Sequence, residues 1–189
     1  MTIAEQIEFS RPLALEKIKT PGMEVEISAT PQECERLARR FGLIGVKRVE
    51  AKLDLCRREG AGGAEYVVRG DFSADVVQTC AITLEPIESS VASRLAVRYM
   101  SPQAFEEYEE RHDQDIPLDL EEEDIDVLPD GVLDLGEIVA QYLAISLSSY
   151  PRKQGLDLNA LGIKSEDDQD VPSSRQETNP FSILKKLYD

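Results

Sequence analysis

The sequence predicts an α+β fold: an antiparallel sheet, open or partly closed, covered by one amphipathic helix and one buried helix, with a flexible tail at the C-terminus. Three observations predict it. Four stretches between residues 23 and 99 alternate apolar and polar side chains with a period of two, the mark of half-buried strands. Short connections join them, which favours antiparallel pairing. Two further stretches, 31–41 and 135–148, carry helical start signals and helical spacing of apolar residues.

The elements follow in order. Met23, Val25 and Ile27 alternate with Glu24 and Glu26 in a strand over 23–28. Thr30-Pro31-Gln32-Glu33 is a capping box with proline at the first helical position. Cys34, Leu37, Ala38 and Phe41 then make one apolar stripe, Arg36, Arg39 and Arg40 fall outside it, and Gly42 can end the helix. Over 47–56, Val49, Ala51, Leu53 and Leu55 face inward. After the Gly60–Gly63 turn, Tyr66, Val68, Gly70, Phe72, Ala74 and Val76 continue the alternation, with Gly70 expected to bulge or bend the strand. The same parity carries Cys80 inward before Pro86 breaks the run. A strand over 91–99 puts Val91, Leu95, Val97 and Tyr99 opposite Arg94 and Arg98. Residues 101–131 are expected as a solvated acidic loop, partly helical around Glu106–Arg111. Asp134 caps a helix with Glu137 at its third position, apolar at Leu135, Ile138, Val139, Tyr142, Leu143, Ile145 and Leu147, and stopped by Pro151. This organisation predicts a single domain over 1–151, a polar linker over 152–178, and a short amphipathic helix over 179–188 whose Phe181 and Leu184 need a surface to cover them.

The formal charge of −16 is unevenly placed. Residues 101–137 hold fifteen acidic residues against Arg111 alone, a net −14. Upstream, eight basic residues between Arg36 and Arg58 face only Glu50 and Asp54. Arg36, Arg39, Arg40, Lys47, Arg48 and Lys52 are therefore candidates for RNA contact, provided the helix and the strand present them on one surface. Glu121, Glu122, Glu123, Asp124 and Asp126, with Phe181 and Leu184, are the candidates for holding a protein partner. The plainer expectation is that the basic side chains pair with acidic neighbours of the same chain.

Catalytic chemistry finds little support. A cysteine nucleophile needs a base, and the single histidine, His112, lies far from Cys80 along the chain. Cys34, Cys56 and Cys80 form no C-x-x-C pair and no zinc cluster. Ala61-Gly62-Gly63 lacks the lysine of a phosphate-binding loop. Residues 126–137 overlay a twelve-residue calcium loop at five positions but fail at the third, Leu128. A calcium-dependent or hydrolytic enzyme using residues 119–137 is the alternative to a binding protein. No metal, cofactor or small-molecule substrate is expected. There is no apolar run of about 18 residues and no secretory signal pattern, so no membrane association and a cytoplasmic place are expected.

Four elements occur together in order: Gln78-Thr79-Cys80-Ala81-Ile82-Thr83-Leu84-Glu85-Pro86-Ile87; an apolar helix after an acidic segment and Asp-Leu-Gly-Glu at 134–137; Ser-Tyr-Pro-Arg-Lys at 149–153; and Asn-Pro-Phe-x-x-Leu at 179–184. In that order they resemble the YceD family, from about Pro12 to Tyr188. The resemblance implies a non-enzymatic role in accumulation of large-subunit ribosomal RNA, hence in ribosome assembly. With the two charged segments, the expected mode is binding of that RNA, of a basic large-subunit ribosomal protein, or of both. Many members carry Cys-x-x-Cys-Leu-Glu-Pro where this chain has Thr83 for the second cysteine. The resemblance then implies a structural role for Cys80, Leu84, Glu85 and Pro86, with Cys80 packed inward ahead of a turn.

Overall fold

A computed structural model describes residues 7–60, 63–112, 123–129 and 131–153. The chain divides into two units, Met1–Lys153 and Gln154–Asp189. The expected linker beyond Lys153, the expected helix over 179–188 with Phe181 and Leu184, and Glu121 and Glu122 lie outside the described residues.

The fold is α+β, as the alternation predicts. Its elements are β1 (Pro12–Ala14), a 3-10 turn (Leu15–Lys17), β2 (Met23–Ser28), α1 (Pro31–Phe41), β3 (Gly45–Gly60), β4 (Gly63–Thr79), β5 (Pro86–Met100), α2 (Pro102–His112), β6 (Asp124–Val127), β7 (Val132–Asp134) and α3 (Leu135–Ser146). Five strands form a sheet in the order β2-β3-β4-β5-β6, and β1 pairs separately with β7. The first four strands of the large sheet are antiparallel neighbours. The expected antiparallel sheet gains one parallel edge strand, β6, which lies beside β5 with Val97 opposite Asp124 and Met100 opposite Val127. A parallel partner is possible there because α2 and residues 113–123 intervene, a connection longer than a hairpin permits. β2 and β6 end the strand order, so the sheet is open.

Val49, Ala51, Leu53 and Leu55 are buried on one face with Val68, Phe72, Ala74, Val76, Leu95, Val97 and Tyr99. Leu37 of α1 and Ile138, Val139 and Leu143 of α3 join the same core. α1 packs on β3 and α3 on β5, so both helices cover one face and leave the other open. The capping box of α1 is complete: Glu33 N–H donates to Thr30 Oγ1 at 3.4 Å, and Thr30 N–H donates to Glu33 Oε2 at 2.7 Å. Gly42 ends the helix in the left-handed region, φ 64°. Asp134 caps α3, its Oδ1 accepting from Gly136 N–H and Glu137 N–H at 3.0 and 3.3 Å. Ile145, expected among the covered apolar positions of that helix, is 80% exposed.

Two local expectations change. Gly70 is not a bulge, since it pairs in register with Leu53 and Leu95. It marks a close approach: a Cβ there would sit 2.1 Å from the Lys52 carbonyl oxygen. The register shift lies instead between Val46 and Arg48, leaving Lys47 as the extra residue. Residues 101–131, expected as a loop partly helical around Glu106–Arg111, contain α2 over Pro102–His112, which covers that stretch, and the unexpected strand β6. α2 begins at Ser101-Pro102, where Ala104 N–H donates to Ser101 Oγ at 3.2 Å, an N-cap followed by proline.

Candidate functional site

The six basic side chains expected on one surface divide between the two faces of the sheet. Arg36, Arg39 and Arg40 ride on α1, which covers the core face. Arg48 and Lys52 alternate with buried Val49, Ala51 and Leu53, so the period of two turns them to the opposite face. Lys47 sits at the bulge between them.

Most of the six are also neutralised. Arg40 donates to both carboxylate oxygens of Glu137 at 2.6 Å and to Glu8 at 3.1 Å, tying the end of α1 to the start of α3. Those carboxylates hold its pKa above the usual arginine value, Glu137 most strongly. Arg48 donates to Asp75 at 2.9 Å and Glu50 at 2.7 Å. Lys47 meets Glu88 at 2.5 Å, and Lys52 meets Glu24 at 3.0 Å. Arg39 pairs only loosely with Glu35, at 3.9 Å, and is 76% exposed. Arg36 is half-buried. The carboxylate partners come mainly from neighbouring strands and α3, so neutralisation is built into the fold.

The acidic segment behaves differently. Glu106, Glu109 and Glu110 on α2 are exposed, as are Asp124 and Asp126 on β6. β6 is pinned from both sides of the sheet. On the helix-covered side, the Tyr142 hydroxyl donates to an Asp124 carboxylate oxygen. Burial first, and then that bond, push the Tyr142 hydroxyl pKa up. On the open face, Glu123 is only 12% exposed and faces three arginines from three adjacent strands. Arg69 of β4 donates directly to its Oε1. Arg58 of β3 lies 3.8 Å from the same oxygen, and Arg98 Nε of β5 lies 3.5 Å from Oε2. Arg98 also sits 3.8 Å from Glu65.

The calcium-loop overlay is overturned by geometry. β7 runs through its middle and pairs with β1. Asp134 is spent on Ser10, the Arg11 amide and the α3 cap, and Glu137 is clamped by Arg40. Among the described residues no group of three or more His, Cys, Asp and Glu side chains is placed to hold a metal.

The Cys80 stretch forms the six-residue turn between β4 and β5. Cys80 N–H donates to the Glu85 carbonyl at 2.8 Å, and Leu84 N–H returns to the Cys80 carbonyl at 3.0 Å. Leu84 takes φ 59°, a left-handed conformation uncommon for a leucine, and is 75% exposed. Cys80 is buried, with Thr83 N–H pointing at its Sγ at 3.5 Å. The Thr83 side chain and the amides of Thr83, Ile82 and Lys153 bring the thiol pKa down to about 6, against the upward pull of burial. Pro86 opens β5, the strand position where a missing N–H costs no ladder bond. Ala81 N–H donates to the Pro151 carbonyl at 2.8 Å, and Lys153 reaches Glu85 at 3.4 Å. The two quoted sequence stretches, 78–87 and 149–153, are thus joined in space.

The family comparison decides what this arrangement belongs to. A family model described as "Large ribosomal RNA subunit accumulation protein YceD" matches residues 68–188, more than half of the chain. The chain belongs to the YceD family. No curated protein and no solved structure matches it. The YceD match begins in β4 and takes in the Cys80 turn, β5, the acidic segment and α3, while β2, α1 and β3 with all six candidate basic residues lie before it. For a YceD protein a ribosome-related role follows from the family description. Among the described residues no helix is long and apolar enough to cross a membrane.

Sequence reasoning missed the cluster of Arg58, Arg69 and Arg98 around Glu123. Each arginine falls on the outward parity of its strand, which was readable. Their meeting depends on strand register: Arg69 lies opposite Asp54 and Ala96, and Arg98 opposite Val67.

Proposed function

We propose that this chain is a non-catalytic, cytoplasmic assembly factor for the large ribosomal subunit that holds a Lys/Arg-rich ribosomal protein against its acidic segment. The supporting observation is the contrast in neutralisation. The basic band is largely consumed by carboxylates of its own domain, whereas α2 presents exposed Glu106, Glu109 and Glu110 within a stretch of net charge −14. A surface of one sign attracts and retains a partner of the other, and speeds the encounter. Glu121, Glu122 and Asp126 extend the same polyanion. Direct grip of ribosomal RNA by Arg36, Arg39, Arg40, Lys47, Arg48 and Lys52 has weaker support, since they are split between two faces and mostly paired.

The test uses the full chain, immobilised, with protein extracted from purified large subunits at about 0.15 M salt, where the screening length is about 8 Å. The chain should retain Lys/Arg-rich proteins, identified by mass. Replacing Glu106, Glu109, Glu110, Glu121 and Glu122 together by glutamine should cut retention roughly tenfold, a loss of about 1.4 kcal/mol. Undiminished retention by that variant, or none by the native chain, sinks the reading.

A further inference from the structure

We infer that Arg58, Arg69 and Arg98 form a binding site for a phosphodiester of a nucleic-acid strand, and that Glu123 is its displaceable occupant. The inference stands apart from the protein-holding reading, because it concerns the open sheet face and cations, not α2.

Elsewhere on that face carboxylates match or outnumber the cations they pair with: Lys52 lies near Glu24 and Glu26, Arg48 near Glu50 and Asp75, and Arg94 near Asp71. Here three guanidinium groups converge on one carboxylate, and among the described residues Glu65 is the one further carboxylate within ion-pair distance of them, so three cations meet two paired anions. The carboxylate also leaves donors unused. Among the described residues only Arg69 makes a hydrogen bond to Glu123; Arg58 and Arg98 lie at 3.8 and 3.5 Å, and Arg98 Nε is buried without a hydrogen-bond acceptor. A buried donor left unmade is a standing cost, which a better-placed acceptor relieves. A phosphodiester offers the same charge as a carboxylate on a larger tetrahedral group, and guanidinium forks match such oxygens in pairs. Access is open, since Arg58 and Arg69 are about half exposed. Val67, fully buried two residues from Arg69 and directly opposite Arg98 in the sheet, makes a fixed floor.

Glu123 arrives just before β6, a strand of four residues at the sheet edge. Its hold on the cluster is therefore local and reversible. A strand backbone that supplies one phosphate to the three arginines exchanges one anion for another, without leaving the cations bare.

The experiment is binding of a fluorescein-labelled 20-nucleotide oligouridylate to the full chain at 50 mM salt. Glu123→Gln should tighten binding about fivefold and steepen the salt dependence by about 0.7 in log–log slope, one added single-strand phosphate contact. Glu16→Gln, which changes net charge equally at an exposed position of the 3-10 turn, should leave affinity unchanged. Adding Arg69→Gln to Glu123→Gln should erase the gain. An unchanged affinity for Glu123→Gln, an equal gain from Glu16→Gln, or a gain that survives Arg69→Gln would overturn the inference. Should Glu123→Gln fail to fold, Arg58→Gln with Arg69→Gln in the otherwise native chain decides it: residual binding should fall at least threefold, and no fall refutes the site.

Discussion

The α1–β3 basic band and the acidic segment look like mirror images in the sequence, eight basic residues in one and fifteen acidic in the other. In three dimensions they are not alike. Arg40, Lys47, Arg48 and Lys52 each have a close carboxylate from another element, and those pairs stitch α1 to α3 and β3 to other strands of its sheet, whereas Arg57 pairs within β3 with Glu59 and Arg58 reaches Glu123 only at 3.8 Å. Among the described residues of the acidic segment, Glu123 and Glu137 form ion pairs and Asp124 and Asp134 accept hydrogen bonds, while Glu106, Glu109 and Glu110 of α2 are exposed. A run of like charge in sequence is therefore no measure of surface potential. What counts is whether the fold brings the opposite charge to it.

The sharpest way to break the comparison is to ask whether the band carries fold stability. Arg40→Ala removes two charge-assisted bonds to Glu137 and one to Glu8 from a side chain 31% exposed. It should cost about 2 kcal/mol in urea unfolding, with unchanged dependence on urea concentration. Part of the loss is offset because Glu137 stays in the first turn of α3, where the helix dipole favours an anion. A cost below about 0.5 kcal/mol would mean that the bridge is ornamental and the band free for partners.

A second prediction uses acid. Arg11 grips Glu33 with two bonds, 2.6 and 2.9 Å, and stacks over Phe9. The Arg11 bond, with help from Thr30, holds the Glu33 carboxyl at about 2, below its ordinary 4.5. A depressed carboxyl stabilises the fold fully above its unfolded pKa and loses that contribution as pH falls through the folded one. Native and Glu33→Gln chains should thus differ by about 1–2 kcal/mol at pH 7, after allowance for partial exposure. The gap should narrow steadily between about pH 4.5 and 2. A gap independent of pH would assign the loss to the helix cap, not to the ion pair.

The elements that local chemistry dictates were legible. Thr30 to Glu33 and Asp134 to Glu137 are start signals whose partners lie three residues away, so sequence contains both ends of each bond. The alternation of Val49 to Leu55 and of Tyr66 to Val76 needed only a dry face, and the strands run further than the apolar pattern because β3 and β4 continue as a charged hairpin through Arg57 and Arg58. What stayed hidden depends on distance along the chain. β1 is three residues long and is made by pairing with β7 about 120 residues later. β6 reads as part of an acidic run because Asp124 and Asp126 mask Ile125 and Val127. The arginine cluster on Glu123 required the register of three strands at once. The family resemblance reached the Cys80 turn and its link to Pro151, whereas the neutralisation of the basic band was visible only as one of two outcomes.

The smallest expected effect separates neighbours. Arg39 and Arg40 are adjacent, and one residue of helix rotates the side chain by about 100°. That rotation carries Arg40 over Glu137 and leaves Arg39 against Glu35 on the same exposed helix flank. Arg39→Ala should then change unfolding free energy by less than about 0.5 kcal/mol, because an exposed i, i+4 pair at 3.9 Å is weak. The same substitution should also leave capture of a basic protein unaltered, since it removes a cation from the side that does not hold one. A loss for Arg39→Ala as large as for Arg40→Ala would show that the band acts through its total charge, and the distinction between built-in and solvent-facing charge would fail at the place where the two lie one residue apart.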